Sequence, residues 1–131
     1  FRVLRAKSLG KYKAFRKGLE QLAAEGVVQI LKNEARGDAS PVMAAVGPMQ
    51  FEVMQARMEF EYNVETVTEP IPYSVARRTD AESAPELGRQ RGVEIFTRQD
   101  GELIALFGDK WKLAFIEKEH PELTMETLVA D

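Results

Sequence analysis

Cysteine is absent from the 131 residues, and histidine and tryptophan each occur once. Without cysteine there can be no disulfide framework, no thiolate metal site and no cysteine nucleophile, and the expected compartment is the cytosol. The one histidine, His120, stands near Glu117, Glu119 and Glu122. A metal site would want more imidazole or thiolate than one ring provides, so His120 reads instead as a cation at the carboxy-terminal end of a helix. Long apolar runs are missing too. Val42–Val46 and Leu103–Phe107 are the longest, far below the ~20 residues a membrane-spanning helix needs. Finally, no Gly-x-x-x-x-Gly-Lys-Ser/Thr occurs, so nothing in these residues cradles a nucleotide phosphate in the P-loop manner.

What is present is an ordinary globular composition, 44% hydrophobic, at a length that buries roughly two thirds of the unfolded chain's surface and needs no staple. The chain opens on Phe1, and Phe1 to Arg5 already alternates like the middle of a strand, which predicts a piece of a longer reading frame. Net charge is only −3, but it is unevenly spread: residues 1–32 carry net +6, residues 33–79 net −3 and residues 80–131 net −6. A basic end is joined to an acidic one.

The hydrophobic pattern predicts a strand over Phe1–Arg5 and a turn at Ser8–Gly10. A helix comes next, in which Phe15, Leu19, Leu22 and Ala23 form one stripe with Gly18, and Gly26 is the stop. Val27–Leu31 and Val42–Val46 read as a hairpin joined by a long loop with Gly37-Asp38 at its tip. Pro48 starts a second helix running towards Tyr62. This helix is apolar on more than one side: Met49, Val53, Ala56 and Phe60 form one stripe, Phe51, Met54 and Met58 another, so burial on both sides is expected. Strand character returns at Val64–Thr68, with Pro70 and Pro72 limiting the adjoining segment to an edge or a bulge. The order βαββαβ is that of a ferredoxin-like antiparallel sheet carrying two helices on one face.

The rest reads as an αββαβ extension. It comprises a weak helix within Asp80–Arg91, strands Val93–Arg98 and Glu102–Phe107 joined at Asp100-Gly101, a helix capped by Asp109 and stopped by Pro121, and a final strand from Leu123 to Val129. The expected fold class is α+β, with residues 1–78 as the ferredoxin-like part and 79–131 as the extension.

No catalytic constellation stands out. Gly88–Gly92 is a glycine pair in a charged segment and reads as a helix end. Glu59, Glu61 and Glu65 lie at a helix end with no histidine or nucleophile beside them, the pattern of a solvated surface. An acylphosphatase reading would need arginine in a glycine-rich phosphate loop, and neither Arg5 nor Arg36 has one, while Asn33 and Asn63 lie at turns. The feature with most chemistry is cationic: Lys11, Lys13, Arg16 and Lys17 fall within two turns, away from the Phe15/Leu19/Leu22 stripe, as a solvated face or as a surface for RNA phosphates.

Three ordered stretches carry a resemblance. They are Gly18-Leu19-Glu20-Gln21-Leu22-Ala23-Ala24-Glu25-Gly26-Val27-Val28-Gln29, then Ala45-Val46-Gly47-Pro48-Met49-Gln50-Phe51-Glu52-Val53, then Ala56-Arg57 with Glu61-Tyr62-Asn63-Val64-Glu65. The chain resembles the carboxy-terminal, third domain of the bacterial peptide chain release factor 3 family, closely to Arg78 and by element pattern beyond. Pro72-Tyr73-Ser74-Val75-Ala76-Arg77-Arg78 is similar as well, departing where family members often carry tryptophan at the place of Arg78. A more distant likeness to elongation factor G surrounds Gly47–Phe51.

The resemblance implies one domain of a cytoplasmic GTPase of translation termination, which promotes dissociation of class I release factors from the ribosome. The nucleotide site, for GTP or GDP with Mg, and a β-barrel domain would lie outside this chain, leaving no cofactor, metal or catalytic residue here. Expected partners are the ribosome, mainly its small subunit through rRNA and ribosomal protein, class I release factors indirectly, and the parent's own other domains, with no membrane. Lys11, Lys13, Arg16, Lys17, Arg77 and Arg78 are the candidate ribosome or interdomain contacts. The competing reading is a freestanding ferredoxin-like module that senses a small ligand as a dimer.

Overall fold

The computed structural model describes residues 1–33, 41–44 and 48–127. The chain divides into two compact units, Phe1–Ile71 and Pro72–Asp131.

In the first unit the strands are β1 (Arg2–Ala6), β2 (Gln29–Lys32), β3 (Val42–Ala44) and β4 (Thr66–Pro70), and the helices are α1 (Tyr12–Ala24), entered through a 3-10 turn at Leu9–Lys11, and α2 (Pro48–Tyr62). The strands lie in the order β4-β1-β3-β2, every pair antiparallel, with Leu4 opposite Thr68 and Ile30 opposite Met43. This is the ferredoxin-like arrangement that the element order predicts. One face of the sheet, carrying Leu4, Ile30 and Met43, is covered by Phe15, Leu19 and Leu22 of α1 and by Met54 and Met58 of α2. Pro70, which has no N–H to donate, ends the edge strand β4.

Both helices stop by one device. Gly26 (φ +79°) and Asn63 (φ +56°) take the left-handed conformation, which glycine adopts without strain and asparagine tolerates better than most residues. The next amides then reach back along the helix: Val27 N–H donates to Leu22 O at 3.1 Å and Val64 N–H to Met58 O at 3.0 Å. Carbonyls left open at the helix ends are thereby satisfied, and Val64 is drawn into the core.

The helices touch where α1 has no side chain. A Cβ at Gly18 would stand 2.6 Å from Met58 Sδ and 3.0 Å from Tyr62 Cδ2. The sequence places Gly18 on the apolar stripe, and the structure supplies the reason: bare backbone lets α2 come close.

In one respect α2 departs from expectation. Met54 and Met58 are fully buried and Phe51 half-buried, as the second apolar stripe requires, but Met49, Val53 and Phe60 are 72%, 42% and 88% exposed. The first stripe has nothing over it among the described residues.

The second unit holds β5 (Val75–Thr79), α3 (Ala84–Arg89), β6 (Val93–Arg98), β7 (Leu103–Phe107), α4 (Lys110–Glu119) and β8 (Glu126–Thr127). The expected αββαβ run is present, and β5 joins it: β5 pairs antiparallel with both β7 and β8, which gives the order β6-β7-β5-β8. With β5 as its first strand, this unit repeats the βαββαβ connectivity and strand order of the first. The division between the units accordingly falls after Ile71, whereas a boundary after Arg78 would run through β5. Leu87, Val93, Ala105, Phe107, Leu113 and Ile116 form the core of the second unit.

Asp100-Gly101 makes the β6–β7 turn as expected, with Gly101 at φ +89°. The Arg98 guanidinium beside Asp100 and the Glu102 N–H together hold the Asp100 carboxyl down at about 2. Asp109 caps α4, its Oδ1 accepting from Lys112 N–H at 2.8 Å. Asp109→Ala removes that acceptor and is expected to cost about 1 kcal/mol, read as a lowered urea midpoint for the Trp111 fluorescence transition. Gly37-Asp38, Arg36, Val46, Gly47 and Val129, to which the sequence assigns loop and strand roles, lie outside the described residues.

Candidate functional site

The chain's cationic feature is built on the outer face of α1. Positions 13, 16 and 17 recur at helical spacing on the side away from Phe15, Gly18, Leu19 and Leu22, so Lys13, Arg16 and Lys17 are exposed while that stripe is buried. Lys11 is half-buried in the 3-10 turn that leads into the helix, where its backbone N–H donates to Ser8 O.

The surrounding electrostatics separate the two ends of α1. Arg16 Nε lies 3.6 Å from Glu20 Oε1 and is partly neutralised. At the carboxy-terminal end the Arg57 guanidinium reaches Glu25 at 2.8 and 3.0 Å and also pairs with Glu61. That pairing lowers both carboxyl groups, for each of which the Arg57 hydrogen bond is the largest cause. The side chains of Lys11, Lys13 and Lys17 have no hydrogen bond or ion pair among the described residues, so uncompensated positive charge concentrates at the amino-terminal half.

This is the wrong end for helix stability. Aligned peptide dipoles make a helix amino terminus positive, and a cation there costs a few tenths of a kcal/mol up to about 1. No acidic residue occupies the first turn of α1 and no side chain caps it. Lys11 and Lys13 stand at this uncapped, positive end and Lys17 one turn further along the same side, a surface that can meet an anion such as an RNA phosphate.

The other two candidates lie in the second unit. Arg77 and Arg78 are consecutive on β5, so their side chains leave opposite faces of the strand. Arg77 Nη1 donates to the carbonyl of Ala76 at 2.8 Å. Arg78 is tied to Glu126 through Nη2 at 2.8 Å and Nε at 3.2 Å, across the β5–β8 register. The structure therefore groups Lys11, Lys13, Arg16 and Lys17 at one helix and gives Arg78 an intramolecular partner.

Of the three acids set aside on sequence, Glu61 holds Arg57, Glu65 stands 3.5 Å from Lys7, and Glu59 is exposed on α2. His120 caps α4, its backbone N–H donating to Ile116 O at 2.8 Å and its Nδ1 lying 3.4 Å from Glu122.

Two surface features were not legible as such. One is the bare α2 stripe of Met49, Val53 and Phe60. The other is on α4, where Trp111 (73% exposed) and Phe115 (56%) stand one turn apart, with Lys110 Nζ 5.2 Å and Lys112 Nζ 5.7 Å from their ring centroids. Their i, i+4 spacing was available in the sequence, but periodicity does not say whether a stripe faces a core or solvent.

Comparison with known proteins bears on what such a surface serves. Residues 1–117 match the family model described as "Class II release factor RF3, C-terminal domain". The chain is 39% identical over 98% of its length to the peptide chain release factor 3 of Synechococcus elongatus, 38% over 98% to that of Trichormus variabilis, and 38% over 94% to that of Symbiobacterium thermophilum. It spans 23–24% of the length of these relatives. With the family model covering all but its last residues and these identities running along nearly the whole of it, the chain belongs to the family of the release factor 3 carboxy-terminal domain.

Proposed function

We propose that this chain is the ribosome-interacting domain of a release factor 3, a cytoplasmic GTPase that acts in translation termination by promoting dissociation of class I release factors. The observation that carries the proposal is the family match over residues 1–117, which joins the chain to termination factors. The cationic amino-terminal half of α1 supports a contact with ribosomal RNA, on the small subunit. Nucleotide chemistry, with GTP and Mg, belongs to a part of the parent outside these residues, which hold no phosphate-cradling loop.

The role here is mechanical. The domain transmits the nucleotide state of the parent to the ribosome as a rigid-body change, and α1 supplies the charged contact. Lys11, Lys13 and Lys17 would lie against phosphates; Arg16 would contribute once released from Glu20; Arg77 and Arg78 would serve as ribosome or interdomain contacts.

The test is co-sedimentation of the chain with ribosomes across a salt series, comparing the native sequence with Lys11→Glu/Lys13→Glu/Lys17→Glu. Loss of three phosphate contacts should flatten the slope of log affinity against log salt by about 2–3 and weaken binding at least tenfold, by order of magnitude. Unchanged affinity and slope would remove α1 as the contact.

A further inference from the structure

The outer side of α4 is a second surface with chemistry of its own. Trp111, Phe115 and Lys118 recur at i, i+4 and i+7, over about 10 Å of helix, on the side away from Leu113 and Ile116, which are buried in the core of the second unit. Both rings are exposed. Two large rings one turn apart, each left in water, forgo the stabilisation that burial would give them.

Cations gather around these rings. Lys110 Nζ stands 5.2 Å from the Trp111 ring centroid and Lys112 Nζ 5.7 Å from that of Phe115. A Cβ at Gly92 would stand 3.5 Å from Lys112 Cε, which brings the exposed Arg91, one residue earlier, to the same end of the helix. None of Arg91, Lys110, Lys112 and Lys118 has an ion pair or a side-chain hydrogen bond among the described residues. The two turns from Lys110 to Ile116 hold no acid, and Asp109, just before them, spends its Oδ1 on the Lys112 N–H. This cationic patch stands in a stretch, residues 80–131, whose net charge is −6.

The occupant follows from flat rings set among unpaired cations. Lysine is depleted at protein–protein contacts, and an apolar protein face would desolvate these charges without giving them partners. A single-stranded nucleic acid supplies both complements, a base to lie on each ring and phosphates for the cations. A duplex supplies only the second, because its bases are already stacked on one another.

We propose that the Trp111–Phe115 face of α4 is a second RNA contact, on which unpaired bases stack while Lys110, Lys112 and Arg91 meet the flanking phosphates. The inference deepens the proposed function and rests on it for the source of the RNA.

The sole tryptophan is its own reporter. The 131-residue chain is titrated with single-stranded octaadenylate, from micromolar to millimolar strand, and with an RNA duplex of equal length. The single strand quenches Trp111 emission saturably and the duplex does so far less. Phe115→Ala weakens octaadenylate binding by about tenfold or more, the effect of losing one stacked base. Phe115→Leu, which keeps apolar bulk without the ring, weakens it as much, and Phe115→Tyr retains it. Lys110→Ala/Lys112→Ala flattens the slope of log affinity against log salt by about 1–1.5, as two lost phosphate contacts require. The α1 variant Lys11→Glu/Lys13→Glu/Lys17→Glu keeps the quenching. Absence of quenching at millimolar strand, an equal response to duplex, native binding by Phe115→Leu, or loss of quenching in the α1 variant each overturns the stacking face and leaves the proposed function standing. Co-sedimentation with ribosomes that falls in Trp111→Ala/Phe115→Ala while octaadenylate is without effect assigns the face to a protein and overturns the inference as well. Quenching by octaadenylate in a chain that does not bind ribosomes at all supports the stacking face and removes the proposed function instead.

Discussion

Phe15→Ala is expected to cost the Phe1–Ile71 unit about 3–5 kcal/mol, the range for truncating a fully buried phenylalanine, whereas Phe60→Ala in the same chain should change stability by no more than about 0.5 kcal/mol. Both phenylalanines sit on apolar stripes of helices, Phe15 on α1 and Phe60 on α2. Phe15 is 1% exposed and packed in the cluster with Leu4, Leu19, Met54 and Met58, so its loss removes apolar surface from the core and leaves a cavity that surrounding backbone fills only in part. Phe60 is 88% exposed and has little burial to lose. The measurement is urea unfolding followed by far-ultraviolet circular dichroism, with amide exchange on α1 as a local readout. Trp111 fluorescence is unsuitable for this pair because the only tryptophan lies in the other unit. A similar penalty for both substitutions would contradict the packing described.

The second large effect is expected at Gly18. Gly18→Val should destabilise the first unit by about 2–3 kcal/mol, because a β-branched side chain must displace Met58 and Tyr62 from a packed contact and its one helical rotamer leaves little room to adapt. Gly18→Ala is a milder change: helix propensity returns up to about 1 kcal/mol against the same crowding, and Met58 Sδ and Cε belong to a flexible side chain that can shift. The contact itself is tested by the pair Gly18→Val with Met58→Ala. If crowding against Met58 is the cause, the two effects couple by roughly 1 kcal/mol or more in the direction of relief. Strict additivity would place the strain elsewhere.

Features whose causes are local could be read without coordinates. The α1 stripe, its glycine stop, the Asp100-Gly101 turn and the Asp109 cap each depend on residues within one or two turns of chain, and each appears where the spacing puts it. The helical placement of Lys13, Arg16 and Lys17 on one face was legible for the same reason. That Arg16 is partly neutralised was legible in principle from Glu20 at i+4, one turn away on the same face.

Features whose causes are distant could not be read in this way. Val75–Thr79 carries two arginines in the middle of its alternation and sits beside prolines, so it resembles an edge of the sheet that precedes it. Its membership of the second unit comes from backbone pairing with β7 and β8, about 25–50 residues further on. The partners of Arg57 and Arg78, Glu25 and Glu126, lie 32 and 48 residues away.

Sequence alone determined the order βαββαβ, the stop of α1, the start of α2, both ends of α4, the polar and apolar faces and the family, because periodicity and capping are properties of neighbouring residues. Only the tertiary structure decided that β5 opens a second βαββαβ unit, that Arg78 is already paired, and that one of the two apolar faces of α2 is bare. Burial is set by what packs against a face, and a pattern of 3.6 residues states only that a face exists.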